Sequence, residues 1–291
     1  MVMVNAGSDR ATNEATLLLS EGSPALYAAL GFHPHNAQAF SPDEAAHLRH
    51  MLRHRRVVAV GEIGLDYYRN HSTPEQQRQA LEAQLDLAED LGLPVVLHCR
   101  DAWADLKAII GSWRRPPLGH HGCMKATVRG ELVEPRAGRP STGPGRTDKG
   151  PFAWQATAHR PRGLLHCFTG DLPTAELFLG LGFLVSFAGP LTYPNSQPLR
   201  DVARALPLAY LTVETDAPYL PPQARRGQRN EPAWVTETIA CLAAIKGLSY
   251  EETAAATAAN ARRLFGTPIR ADTGLVGAQG LAPLHAPSMT R

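Results

Sequence analysis

Val57 to Tyr68 reads VVAVGEIGLDYY. Valines at 57, 58 and 60 make a β-branched run that ends in Gly61-Glu62, and Gly64 and Asp66 open a loop directly behind it. Apolar runs of about four to eight residues closed by glycine are characteristic of buried strands. Glu62 therefore sits where a strand gives out. For one isolated residue, a solvent-facing Glu would be the plain reading, but the device recurs along the chain. Val95-Val96-Leu97 ends in His98, Gly163-Leu164-Leu165 ends in His166, and Leu211-Thr212-Val213-Glu214 runs into Asp216. Four buried-type strands each deliver one metal-competent side chain at the C-terminal end.

Working outward, seven strands are expected, at Val2, Leu26, Val57, Val95, Gly163, Phe183 and Tyr210, and helices alternate with them. Arg10–Ser20 suits a helix. Ser41-Pro42-Asp43-Glu44 and Thr73-Pro74-Glu75-Gln76 are helix starts with a capping side chain and proline at the first position. Leu81, Leu85, Ala88 and Leu91 mark one apolar helical face, which Gly92 terminates. Further helices are expected over 101–110, from about Thr174, near 199–205, and over 233–245 and 250–264, with Gly247 between the last two. Strands alternating with helices imply parallel pairing by right-handed crossovers. Polar strand ends spread over most of the chain favour a TIM-type (β/α)8 barrel, whose reactive groups lie at strand C-termini, over an open doubly wound sheet. Seven strands leave that barrel one short of eight.

The 291 residues suffice for one large domain. Residues 1–266 are read as that single domain, interrupted at 114–162. This segment holds seven Gly and seven Pro in 49 residues, with no helical or strand period. It is expected to be a disordered insertion without a functional role, and residues 267–291 a disordered tail. The formal charge of +2 hides an asymmetry, because 114–162 carries ten Lys and Arg against three Asp and Glu. That leaves 19 basic and 24 acidic residues elsewhere, a balance of −5. Such a body is no basic nucleic-acid glove, so metal ions must supply the positive charge for any phosphate it handles. No apolar run approaches the roughly 20 residues of a membrane span, and Met1–Asn5 makes no signal-peptide core. A cytoplasmic protein with no obligate protein partner is expected. The four cysteines (Cys99, Cys123, Cys167, Cys241) form no C-x-x-C pair and read as reduced packing residues.

Carboxylate and imidazole at a barrel mouth suit Zn²⁺, Mn²⁺ or Fe²⁺, and Mg²⁺ with water ligands. Glu62 is placed to bridge two ions, with His98 and His166 holding one. Asp216 is placed to bind the second or to take a proton from the attacking water. Such a site serves in-line attack on a phosphodiester or hydrolysis of an acyl bond. His47, His50 and His54 have helical spacing on an Arg-rich helix and read as a solvated face. His120-His121-Gly122-Cys123 stands in the insertion without partner ligands. Arg225, Arg226, Arg229 and Asn230 follow the Asp216 strand in a proline-bounded loop, where guanidinium groups can clamp phosphate or simply be solvated.

The segments GFHPH (31–35), GEIGLDYYR (61–69), HCRDA (98–102), HCFTGD (166–171), SFAGPLTYPN (186–195), ETDAPYLPP (214–222) and RNEP (229–232) together resemble the TatD family of metal-dependent deoxyribonucleases. The resemblance spans Val2 to about Gly266 outside the insertion. It implies a TIM-barrel metallo-hydrolase that uses Mg²⁺ or Mn²⁺ to degrade DNA, chiefly single strands from the 3′ end. It also implies Glu62, His98, His166 and Asp216 as ligands of one or two ions, and His33 as a contact to the substrate phosphate or its attacking water. Most members open with a strand ending in His-x-His and a helix, which have no counterpart before Val2. A translation start assigned too late is the expected reason, which in-frame His-x-His codons upstream of Met1 would reveal. Two other activities stay open: a metal-dependent acyl-ester hydrolase of the aminoacyl-tRNA deacylase kind, and an inactive remnant binding at most one ion.

Overall fold

In a computed structural model, residues 2–69, 71–113 and 160–266 are described. The strands are β1 (Met3–Ala6), β2 (Leu26–Leu30), β3 (Val57–Asp66), β4 (Val95–Arg100), β5 (Gly163–Leu165), β6 (Phe183–Phe187) and β7 (Leu211–Val213). They lie side by side in sequence order, and every neighbouring pair is parallel. The sheet curls into a half-barrel with helices outside it. The expected seven-stranded barrel type is thus the observed one, with β1 and β7 at the two ends of the sheet.

The helices are α1 (Arg10–Glu21), α2 (Pro42–Met51), α3 (Pro74–Leu91), α4 (Trp103–Ser112), α5 (Leu172–Gly180), α6 (Gln197–Ala205), α7 (Val235–Lys246) and α8 (Tyr250–Phe265). Their ends follow local chemistry. The Ser41 and Thr73 hydroxyls accept from the amides of Glu44 and Gln76, each with Pro at the first helical position. Gly92 and Gly247 close α3 and α7 at φ 67° and 65°, where a left-handed residue caps the last carbonyls. Among the described residues no helix is long and apolar enough to cross a membrane.

Strand side chains alternate between two faces. Ala28, Leu30, Val95, Leu97, Leu165, Phe183 and Val185 point outward, packing with Leu81, Leu85, Leu106, Ile110 and Phe178 of the helices. Tyr27, Ala29, Val58, Val96, Leu164 and Leu184 point inward, and Leu264 and Phe265 of α8 join them. The inward row of each strand turns polar at its C-terminal end: Val96 is followed two residues on by His98, Leu164 by His166, and Leu184 by Ser186. The lower barrel is thus a dry plug and the upper end a polar mouth. Two glycines set the approach of β3 to β4. A Cβ on Gly61 would lie 2.6 Å from Val96 Cβ, and one on Gly64 only 2.0 Å from the His98 carbonyl oxygen. Only glycine lets Glu62, between them, come against His98.

One boundary moves. Arg160 and Arg162, assigned from sequence to the insertion, belong to the packed body. Arg160 donates to the Leu264 carbonyl at 2.6 Å. Arg162 donates to the Trp113 carbonyl, lies over the Trp113 ring at 4.5 Å, and extends β5 through bonds with Val95 and Gly182. Both guanidinium groups cap backbone carbonyls of the body, and that of Arg162 also packs on Trp113, which composition alone does not reveal. The rest of the expected insertion, including His120-His121-Gly122-Cys123, and the tail from 267 lie outside the described residues.

Candidate metal centre

Glu62 stands at the middle of the mouth. Its Oε1 is 2.9 Å from His98 Nδ1, 3.6 Å from His166 Nε2 and 3.6 Å from His33 Nε2. Asp216 Oδ1 lies 3.4 Å from the same His166 nitrogen. The four residues expected as ligands, Glu62, His98, His166 and Asp216, are linked by contacts through Glu62 and His166, and His33 reaches the same Glu62 oxygen. Each arrives from a different place: His33 after β2, Glu62 on β3, His98 on β4, His166 after β5, and Asp216 after β7.

Two acids behind the cluster decide which nitrogen faces it. His98 Nε2 meets Asp66 Oδ2 at 3.0 Å, and His166 Nδ1 meets Glu214 Oε1 at 2.8 Å. A carboxylate accepts, so each imidazole keeps a proton on its outer nitrogen, and the inner nitrogens, His98 Nδ1 and His166 Nε2, are the ones that would give up a proton to a cation. His98 Nδ1 donates to the Glu62 oxygen at 2.9 Å and His166 Nε2 faces the same oxygen at 3.6 Å, and such carboxylate–histidine pairs are how proteins orient metal-binding imidazoles. Both acids are themselves held. Glu214 also accepts from the Cys167 amide at 2.8 Å and the Ser186 hydroxyl at 2.7 Å. Asp66, only 1% exposed, accepts from the Tyr68 and Arg69 amides at 3.0 and 2.8 Å and pairs with His35 Nε2 at 3.0 Å. Asp66, Glu214 and His35 were not singled out from sequence as site residues. The available signal was an acid four residues past Glu62 and another two before Asp216.

The electrostatics suit a cation. Burial alone would raise the Glu62 carboxyl, but His166, His98 and His33 more than offset it and hold it well below its usual range. Burial pulls the His98 imidazolium down, yet the hydrogen bonds to Asp66 and Glu62 win and push it up to about 9. For His166, burial is likewise overcome by Glu214 and Glu62, and the shift is upward. The carboxylates thus call for positive charge between the imidazoles, which a divalent ion supplies by displacing protons. Two carboxylates and two oriented imidazoles are a donor set that fits Mn²⁺, Zn²⁺ or Mg²⁺ with water completing the shell.

His33 differs. His33, Glu62 and His98 each put one ligand-type atom within 4.8 Å of the others, so distance alone would admit His33 as a ligand. Its Nδ1, however, accepts from the His35 amide at 3.2 Å. Burial pulls it down to about 3 despite Glu62, so it is neutral with its proton on Nε2. That nitrogen offers a donor to the mouth, not a lone pair.

Asp216 sits at φ 59°, a left-handed conformation that Asp tolerates better than most residues. Burial raises its carboxyl against the pull of His166, which makes it a better proton acceptor than an exposed aspartate. Asn230 was expected to touch substrate, and the structure commits it elsewhere. It is 2% exposed, and its amide nitrogen donates to the Thr215 and Tyr219 carbonyls at 2.7 and 2.6 Å while its oxygen takes the Glu231 amide at 2.9 Å. Asn230 ties the Asp216 loop together and has no donor left for phosphate. Arg229 beside it is exposed. His47 and His54 pair with Glu14 and Glu21 of α1 at 3.1 Å each, a surface arrangement far from the centre. Cys99 is a buried packing residue, its thiol pushed up to about 12 by burial.

Residues 1–266 match the family model described as TatD related DNase. This chain belongs to the TatD family. It is 37% identical over 235 residues to YcfH of Escherichia coli K12, described as an uncharacterized metal-dependent hydrolase, which covers 81% of this chain and 72% of YcfH. It is 34% identical over 269 residues to the 3′-5′ ssDNA/RNA exonuclease TatD of Erwinia tasmaniensis, covering 90% of this chain and 87% of that one. Among solved structures, the TatD homologue YjjV of Escherichia coli K12 superposes with a TM-score of 0.72 at 30% identity, over 91% of this chain and 86% of YjjV. The TatD likeness read from the seven motifs is thereby established, and with it a metal-dependent hydrolase.

Proposed function

We propose that this TatD-family chain hydrolyses phosphodiester bonds of nucleic acid, removing nucleotides from the 3′ end of single strands with one or two Mg²⁺ or Mn²⁺ ions. Zn²⁺ is the next candidate. The observation that carries it is the pair of inner nitrogens, His98 Nδ1 and His166 Nε2, that face one Glu62 oxygen while Asp66 and Glu214 hold the outer nitrogens. The name of the Erwinia tasmaniensis relative, 3′-5′ ssDNA/RNA exonuclease, supports the polarity and the single-stranded substrate.

Glu62, His98, His166 and Asp216 would hold the cation, which supplies positive charge at a phosphoryl oxygen and makes water acidic enough to attack at neutral pH. The remaining steps belong to the protein. Asp216, raised by burial, accepts the proton of the attacking water. His33 donates from Nε2 to a phosphoryl oxygen as charge builds there. Asp66 and Glu214 keep both imidazoles from turning.

The test strips the protein with chelator and restores Mg²⁺, Mn²⁺ and Zn²⁺ in turn, on single strands labelled at either end. Loss of 3′ nucleotides, dependent on Mg²⁺ or Mn²⁺, is expected. Cleavage of an aminoacyl ester with no attack on the strand would replace this reading with acyl hydrolysis.

A further inference from the structure

We propose that the Tyr68 ring, flanked by Arg69 and Arg100, is the ledge on which a base of the single-stranded substrate stacks beside the metal centre. The proposal rests on the nucleic-acid reading above and assigns residues to it. Tyr68 follows directly on the C-terminal end of β3, and Arg100 ends β4, so both stand at the mouth. Tyr68 is 56% exposed, with the Arg100 guanidinium 3.8 Å and the Arg69 guanidinium 5.7 Å from its ring centre. An exposed aromatic with adjacent guanidinium groups is the combination that holds single strands: the ring takes a base of any sequence, and the cations take neighbouring phosphates. In a body whose balance outside 114–162 is acidic, two arginines on one exposed ring are a local reversal of charge.

The ledge is built on a fixed frame. The Tyr68 and Arg69 amides donate to Asp66 Oδ1 at 3.0 and 2.8 Å, and the Tyr67 amide donates to the Arg100 carbonyl at 2.9 Å. The Tyr67 hydroxyl is spent on Asp105 at 2.6 Å, so of the two adjacent tyrosines one fastens the loop and the other faces solvent. The other oxygen of Asp66 holds His98 at 3.0 Å. One buried carboxylate therefore sets both the ledge and a metal-facing imidazole, and a base stacked on Tyr68 is held in register with the bond to be cut.

The experiment walks an abasic residue through the 3′-terminal positions of a single strand and compares cleavage by the wild type, Tyr68→Ala, Tyr68→Phe and Tyr68→Trp with Mn²⁺. In the wild type one position loses about tenfold in kcat/KM when its base is missing. Tyr68→Ala loses that sensitivity, whereas Tyr68→Phe and Tyr68→Trp keep it, which a purely structural tyrosine would not produce. Arg100→Gln lowers the slope of log affinity against log salt by about one. Binding is read as quenching of a 2-aminopurine base in an Asp216→Asn background. If Tyr68→Ala still distinguishes the natural from the abasic strand as the wild type does, the ledge is wrong and the nuclease stands. If the wild type neither binds nor cleaves single strands, both fall together.

Discussion

Replacing Asp66 with Asn should damage the metal centre through a tautomer. Oδ1 of Asp66 accepts two backbone amides, from Tyr68 and Arg69, and Oδ2 faces His98 Nε2 and His35 Nε2 at 3.0 Å each. In Asp66→Asn the amide oxygen must stay with the two backbone donors, because the alternative sets N–H against N–H. The NH₂ then points at His98 Nε2, which has to accept. The imidazole proton is driven to Nδ1, the atom 2.9 Å from Glu62, and its lone pair leaves the centre. Losing the carboxylate that orients a metal-binding imidazole weakens metal binding by about 10- to 100-fold, or about 1.4–2.7 kcal/mol. Asp66→Ala imposes no wrong tautomer and should retain more affinity than Asp66→Asn, although it loses more packing. Competition with a chromophoric chelator for Mn²⁺ measures both variants. Equal affinity in wild type and Asp66→Asn would refute the assignment of Nδ1 as the metal-facing nitrogen.

Three further outcomes are expected. His33→Ala should cut kcat by about 10²–10³ while leaving Mn²⁺ affinity intact, as for a lost donor to developing charge; a parallel loss of Mn²⁺ affinity would make His33 a ligand instead. In chelator-treated protein, the stability that protonated His98 contributes is fully present below its unfolded value near 6.5 and is lost as pH rises through about 9, a span worth about 3 kcal/mol. Thermal melts should fall across that window and flatten with saturating Mg²⁺; an unchanged slope would mean the ion does not replace those protons. Asn230→Ala strands the Thr215 and Tyr219 carbonyls and should destabilise by about 2–4 kcal/mol, measured by urea unfolding, whereas a residue that only touched substrate would leave the unfolding curve where it is.

Strand order, parallel pairing and the meeting of Glu62, His98, His166 and Asp216 were legible in the chain, because each depends on local pattern. A β-branched run followed by glycine makes a strand, alternation sets the inward row, and parallel crossovers bring successive strand ends to one mouth. Which nitrogen of each histidine faces that mouth was not legible. It depends on Asp66 reaching His98 on the neighbouring strand and on Glu214 reaching His166 from the far side of β6, and no sequence spacing encodes such contacts. Asn230 shows the same limit from the other side: a polar residue in a loop at the mouth reads as a substrate contact until its three hydrogen bonds are seen to be spent on backbone. Arg162 does too, since a guanidinium in a Gly/Pro-rich stretch looks solvated until Trp113 is found beneath it. Sequence alone determined where the reactive groups would gather. Tertiary structure decided what each can donate or accept there, because protonation and hydrogen-bond direction are properties of neighbours that only folding supplies.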